Sequence, residues 1–119
     1  MTPLARVLVE HHGEVPVVVV EGEVDASNVA EIRRAIDGAV TNHMAALVVD
    51  LTATGYLDSA GINLLFGLGA ELRDRQQRLL IAAADGTPVR RMLELSGLAV
   101  AERIDATRDA ALTRALVGG

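Results

Sequence analysis

The chain has 119 residues, a net charge of −5 at pH 7, no Cys, and only two aromatic residues, Tyr56 and Phe66. Its length supports one core and a single domain over residues 1–119, and with half the residues apolar that core must be built from Val, Leu, Ile and Ala. All 11 basic residues are Arg, so Schiff-base chemistry, a P-loop lysine and an ammonium partner for an aspartyl phosphate are excluded, as are disulfides and thiolate zinc sites.

An acidic chain with few rings for base stacking predicts no direct nucleic-acid partner. The first residues lack a long apolar signal segment, and no apolar run approaches the roughly 18 residues of a membrane span. A cytoplasmic protein without a membrane partner is the expectation.

Leu4 to Glu10 alternates as a first strand, and Val15 to Gly22 reads as a second. His11, His12, Gly13 and Glu14 between them make an antiparallel hairpin. His11 and His12 would point to opposite faces of a strand and so cannot share one metal ion, and no metal site or cofactor is expected. Val29, Ile32, Ile36 and Val40 recur at helical spacing, so a helix opened by Asp25 or Ser27 packs on the sheet. Ala46 to Leu51 is a third strand, short, β-branched and buried on both faces.

After it, Ile62, Leu65, Phe66 and Leu72 mark one face of an amphipathic helix running from Ser59 to about Gln76. Gly69 falls on that face, where close helix-to-strand packing would explain it, whereas Gly67 falls outside and has no such reason. Arg78 to Ala84 is a fourth strand. Asp85 and Gly86 then turn into a helix with Pro88 at its start and Gly97 as its stop. Ala101 to Asp105 can form a last short strand, and Thr107 caps a C-terminal helix. Strands alternating with helices after an initial hairpin predict an α/β fold, with a mixed, mostly parallel sheet of four to five strands and helices packed on it. In such a sheet the loops after the strands' carboxyl ends converge, bringing Asp25, Asp58 with Ser59, and Asp85 to one edge.

The segment from Asp50 to Ile62 is the richest in side-chain oxygens: Thr52, Thr54, Asp58 and Ser59 fall within eight residues. Asp58 or Ser59 can cap the helix that follows, leaving Ser59 at its positive end. Gly61 sits in the first turn, where a good helix former would be favoured by about 1 kcal/mol, which suggests a turn shaped for close approach by another group. Leu64 and Leu68 lie toward the outer flank of the same helix, one and two turns beyond Ser59.

At these residues the chain resembles the STAS domains, and among them the bacterial anti-sigma-factor antagonists. The motif is an Asp that ends a strand, then Leu and Ser or Thr, a variable loop with an aromatic, and Asp-Ser-Ser/Thr-Gly opening a helix. It stands here as Asp50, Leu51, Thr52, then Tyr56, Leu57, Asp58, Ser59, Ala60 and Gly61. A second segment, Gly22, Glu23, Val24 and Asp25, matches the family's Gly-Glu-hydrophobic-Asp. The chain departs from the pattern at Ala60, where a hydroxyl residue is usual, and at Thr54, where an apolar residue is common.

The resemblance implies a STAS-like domain whose unphosphorylated form binds an anti-sigma factor that is also an ATP-binding serine kinase, releasing a sigma factor. Phosphorylation of Ser59 would switch that binding off, with Asp25, Asp58, Ser59, Gly61, Leu64 and Leu68 on the partner-binding surface. The alternative is a constitutive STAS scaffold that is never phosphorylated. An enzyme is not expected: a Ser-His-Asp triad would lack its base, since His43 falls in a loop remote from Ser59, and there is no G-x-S-x-G elbow. A phosphoacceptor receiver domain would need an acidic pair after the first strand and a Lys, and the chain has neither.

Overall fold

The computed structural model describes residues 4–117. Two strands, β1 (Ala5–His12) and β2 (Val15–Val24), come first, followed by α1 (Val29–Ala39), β3 (Ala46–Asp50), β4 (Thr54–Leu57) and α2 (Ser59–Asp74). β5 (Arg78–Ala82), α3 (Pro88–Leu95), α4 (Leu98–Ala101), β6 (Arg103–Asp105) and α5 (Arg108–Val117) complete the chain.

The hairpin forms as its turn chemistry dictates, with Gly13 at φ 64 as the first of two turn residues and His12 opposite Val15. The remaining pairings are parallel, giving one sheet in the order β1-β2-β3-β5-β6. Among the described residues the sheet has six strands rather than the four to five expected, because β4 also forms. After three residues of loop, β4 continues in the lane beside β2 that β3 has just left, pairing Gly22 with Thr54 and Val24 with Leu57.

Strand alternation divides the interior into two layers. On one face Val18, Val20, Leu47, Val49, Leu79 and Ile81 meet α1, α2, α3 and α4. On the other, Val17, Val19, Val48, Leu80, Ala46 and Ala82 meet Ala111 and Ala115 of α5. Small side chains on both sides of that second layer let a single helix sit close to the sheet. Both faces are covered, so β2, β3 and β5 read as continuous apolar runs. Among the described residues no helix is long and apolar enough to cross a membrane.

The sheet's polarity positions the site. β2, β4 and β5 run parallel and end together, and the turns leaving them carry Asp25, Asp58 with Ser59, and Asp85. His43 lies in the exposed loop entering β3, at the opposite edge.

Candidate functional site

Ser59 leaves the sheet directly from a strand that is pinned along its length. Asp50 at the end of β3 is fully buried and accepts from Thr52 N–H at 2.9 Å, from the Thr52 hydroxyl at 2.7 Å and from Arg108 Nε at 2.7 Å. Arg108, the first residue of α5, also holds both carboxylate oxygens of Glu10 on β1, at 3.1 and 2.9 Å. The guanidinium's pKa is raised above its ordinary value, chiefly by the hydrogen bond to Asp50. On the other side of the loop the buried Thr54 hydroxyl donates to Val20 O at 2.7 Å, and Gly22 N–H donates to Ala53 O at 3.1 Å. Gly22 is at φ 103, and a side chain there would run into the Leu4 carbonyl, so the position requires glycine.

The cap of α2 resolves which of two oxygens does what. Asp58, in extended conformation, accepts from Ala60 N–H at 2.9 Å and Gly61 N–H at 3.3 Å, and is the N-cap. Its own N–H donates to Val24 O at 3.2 Å, stitching the turn to the end of β2. Ser59 is therefore the first helical residue. It is exposed, and among the described residues nothing holds its hydroxyl. A serine relieved of capping by its neighbour and lifted into solvent at a helix's positive end can accept a phosphoryl group with little strain on the fold.

The Asp25 turn lies beside it, since Val24 pairs with Leu57. Asp25 does not cap α1; Asn28 stands at that position, without a side-chain cap bond. Instead the Asp25 carboxylate accepts from the Ser27 hydroxyl and from Ser27 N–H at 2.8 Å, while Asn28 closes the turn by accepting from Asp25 N–H at 3.0 Å and donating to Glu23 O at 2.8 Å. These bonds, the Ser27 hydroxyl first, hold the Asp25 carboxyl below its ordinary pKa, so it stays charged. Asp85 is exposed and pairs with Arg90 at 3.4 Å. The edge is thus acidic, with Asp25 and Asp58 engaged only with neutral N–H and hydroxyl donors.

Three sequence expectations are corrected here. Leu68 is 1% exposed and belongs to the core with Leu98 of α4, so it has no surface to offer a partner. Leu64 is half-buried against that core. Gly61 is buried, and what approaches it is internal: a methyl there would overlap the Leu57 side chain and press on Val24. Gly69 answers not to a strand but to the buried carboxylate of Glu102, which an added methyl would strike and which pairs with Arg73. A methyl at Gly67 would meet the Arg33 guanidinium at an ordinary contact distance of 3.8 Å, and nothing among the described residues explains the glycine.

One surface residue was not assigned to the partner-binding surface by sequence. Tyr56 on β4 is 50% exposed, three residues before Ser59 and opposite the exposed Glu23 on β2. It is the one exposed aromatic side chain among the described residues. The signal was the lone aromatic in an oxygen-rich loop, in a chain that otherwise spends its apolar residues on aliphatics.

The family model for the Mlab STAS domain matches residues 7–104. RsfB of Mycobacterium tuberculosis, an anti-sigma-F factor antagonist, is 32% identical over 107 residues, spanning 90% of this chain and 86% of RsfB. The crystal structure of an anti-sigma factor antagonist from Mycobacterium paratuberculosis matches with a TM-score of 0.85 at 32% identity, covering 94% of both chains. The anti-sigma factor antagonist SpoIIAA in its unphosphorylated form matches with a TM-score of 0.73 at 25% identity, over 92% of this chain and 95% of its own. The Bacillus SpoIIAA structure in the phosphorylated form matches at 0.65, also with 25% identity, over 92% of this chain and 98% of its own.

Proposed function

The chain belongs to the STAS domain family, and from that premise we propose that it is an anti-sigma-factor antagonist switched by phosphorylation of Ser59. Unphosphorylated, it binds an anti-sigma factor that is also an ATP-dependent serine kinase, and a sigma factor is released. Phosphorylated, it no longer binds. Relatives named as anti-sigma factor antagonists support the general role, and SpoIIAA, solved both with and without phosphate, is a relative for which phosphorylation is documented. The observation that carries the switch is that Asp58, not Ser59, caps α2, which leaves an exposed hydroxyl free of any structural task.

Phosphate would add about −1.5 to −2 charge beside a carboxylate that already occupies the Ala60 and Gly61 N–H groups. With the Ala60 and Gly61 N–H groups taken by Asp58, the phosphate stays on the outside of the helix, where a partner docks. The docking face comprises Asp25, Asp58, Ser59 and the half-buried Leu64, with Tyr56 as its apolar anchor in place of Leu68. Its acidity calls for Arg or Lys on the partner, and a basic partner alone would welcome more negative charge. Release therefore comes from repulsion between phosphoserine and the nucleotide phosphates of the kinase, which must bring ATP to Ser59 to modify it.

The test of the site is incubation of wild type and Ser59→Ala with the cognate kinase and ATP, followed by mass spectrometry. One phosphate on wild type and none on Ser59→Ala is expected. Persistent phosphate at Thr52 or Thr54 would overturn the assignment, and wild type left unmodified would favour a constitutive scaffold.

A further inference from the structure

β1 forms one lateral edge of the sheet. Among the described residues β1 bonds to β2 alone, in unbroken register from Ala5 opposite Gly22 to His12 opposite Val15. Glu23 N–H donates to Leu4 O at 3.0 Å, so the even-numbered positions of β1 are the ones that exchange hydrogen bonds with β2. Ala5, Val7, Val9 and His11 consequently turn their N–H and C=O groups outward. Edges of this kind are usually blunted by Pro, by Lys, by a bulge or by shortness, and this eight-residue strand has none of these. It instead exposes Leu8 and Val9, each 41% accessible.

The side chains on this edge are self-complementary. Arg6 and Glu10 lie two residues on either side of Leu8, on the face that Arg108 of α5 reaches, while Ala5 and Val7 pack toward the opposite layer. An antiparallel copy related by a two-fold axis through Leu8 sets Leu8 against Leu8, Val7 against Val9, and Arg6 against Glu10 twice over. That register places Val7 and Val9 as hydrogen-bonded pairs, which is what their outward backbone groups require, and yields about eight new backbone bonds. We propose that the β1 edge associates with the β1 edge of a second copy of this chain, joining two sheets into one through a symmetric antiparallel contact centred on Leu8. Ser59, on the turn after β4, is not on this edge, so the contact is independent of the phosphorylation reading.

Sedimentation velocity over about a hundredfold concentration series tests it. Wild type should move reversibly from the monomer to twice its mass, and Val9→Pro, which removes an outward N–H while leaving the β2 ladder intact, should stay monomeric. Arg6→Glu alone and Glu10→Arg alone set like charges opposite each other at both ends and should each associate about tenfold more weakly. When the two variants are mixed in equal amounts, each heterodimer sets a carboxylate of one chain against a guanidinium of the other at both ends, and association should return with wild-type affinity. Since any effect inside one chain is the same in the separate and mixed samples, restoration reads the contact itself. Wild type monomeric throughout, Val9→Pro dimerising like wild type, or a mixture no stronger than its components would each overturn the proposal.

Discussion

Whether Ser59 is free for signalling or needed for folding can be decided by comparing two neighbouring alanines. Asp58→Ala removes a carboxylate that holds Ala60 N–H at 2.9 Å and Gly61 N–H at 3.3 Å. The shorter bond carries most of the effect, and loss of an N-cap of this kind costs about 1–2 kcal/mol. For a domain of this size each kcal/mol moves the melting temperature by about 4 °C, so Asp58→Ala should melt about 4–8 °C lower. Ser59→Ala loses no hydrogen bond and places a better helix former at the first helical position, so its stability should stay within about 0.5 kcal/mol of wild type. Urea unfolding followed by circular dichroism, with thermal scans alongside, gives both values. If Ser59→Ala lost more than about 1 kcal/mol, or Asp58→Ala lost nothing, the assignment of capping to Asp58 would be wrong and a free serine would have no basis.

Gly67→Ala should stabilise by about 0.5–1 kcal/mol, because a methyl there overlaps nothing and meets the Arg33 guanidinium at an ordinary contact distance of 3.8 Å, whereas Gly69→Ala should destabilise by about 1–3 kcal/mol because it displaces the buried Glu102 carboxylate from Arg73; chemical unfolding measures both. Ser27→Ala should raise the Asp25 pKa toward the ordinary Asp range, read by NMR titration of the side-chain carboxyl carbon. A carboxyl depressed in the folded state adds stability that is present above its unfolded pKa and lost as pH falls through the folded one, so Ser27→Ala should lose less stability than wild type on acidification from about pH 4. Tyr56→Ala should weaken binding of the unphosphorylated chain to its anti-sigma factor at least about tenfold without changing its melting temperature, by calorimetry and thermal unfolding together.

The hairpin, the Ile32 and Ile36 face of α1 and the helix begun by Pro88 and stopped before Gly97 are legible in the sequence because each is local: turn residues, 3.6-residue spacing and stop signals lie within a few positions of one another. The convergence of Asp25, Asp58 and Asp85 is legible too, since it follows from parallel strand order alone. What escapes depends on distant partners. β4 is four residues, with Thr and Gly among them, and is a strand only because Gly22 to Val24 offers an open edge beside it. The buried stripe of α2 is turned about 40° from the one that Ile62, Leu65, Phe66 and Leu72 suggest, toward Leu98 of α4, a four-residue helix with no signal of its own. That rotation carries Leu68 inward. Gly61 and Gly69 likewise make room for Leu57 and Glu102, neighbours that sequence spacing does not announce.

The proposed switch at Ser59 is tested most directly by measuring affinity of the phosphorylated and unphosphorylated chain for the anti-sigma factor kinase proposed as its partner, loaded in turn with ADP and with a non-hydrolysable ATP analogue. The account predicts tight binding of the unphosphorylated chain in both states and a loss on phosphorylation that is larger with the ATP analogue, because the added charge faces the terminal phosphate of the nucleotide. Equal binding of the two forms would contradict the switch, and an equal loss with either nucleotide would contradict its electrostatic origin.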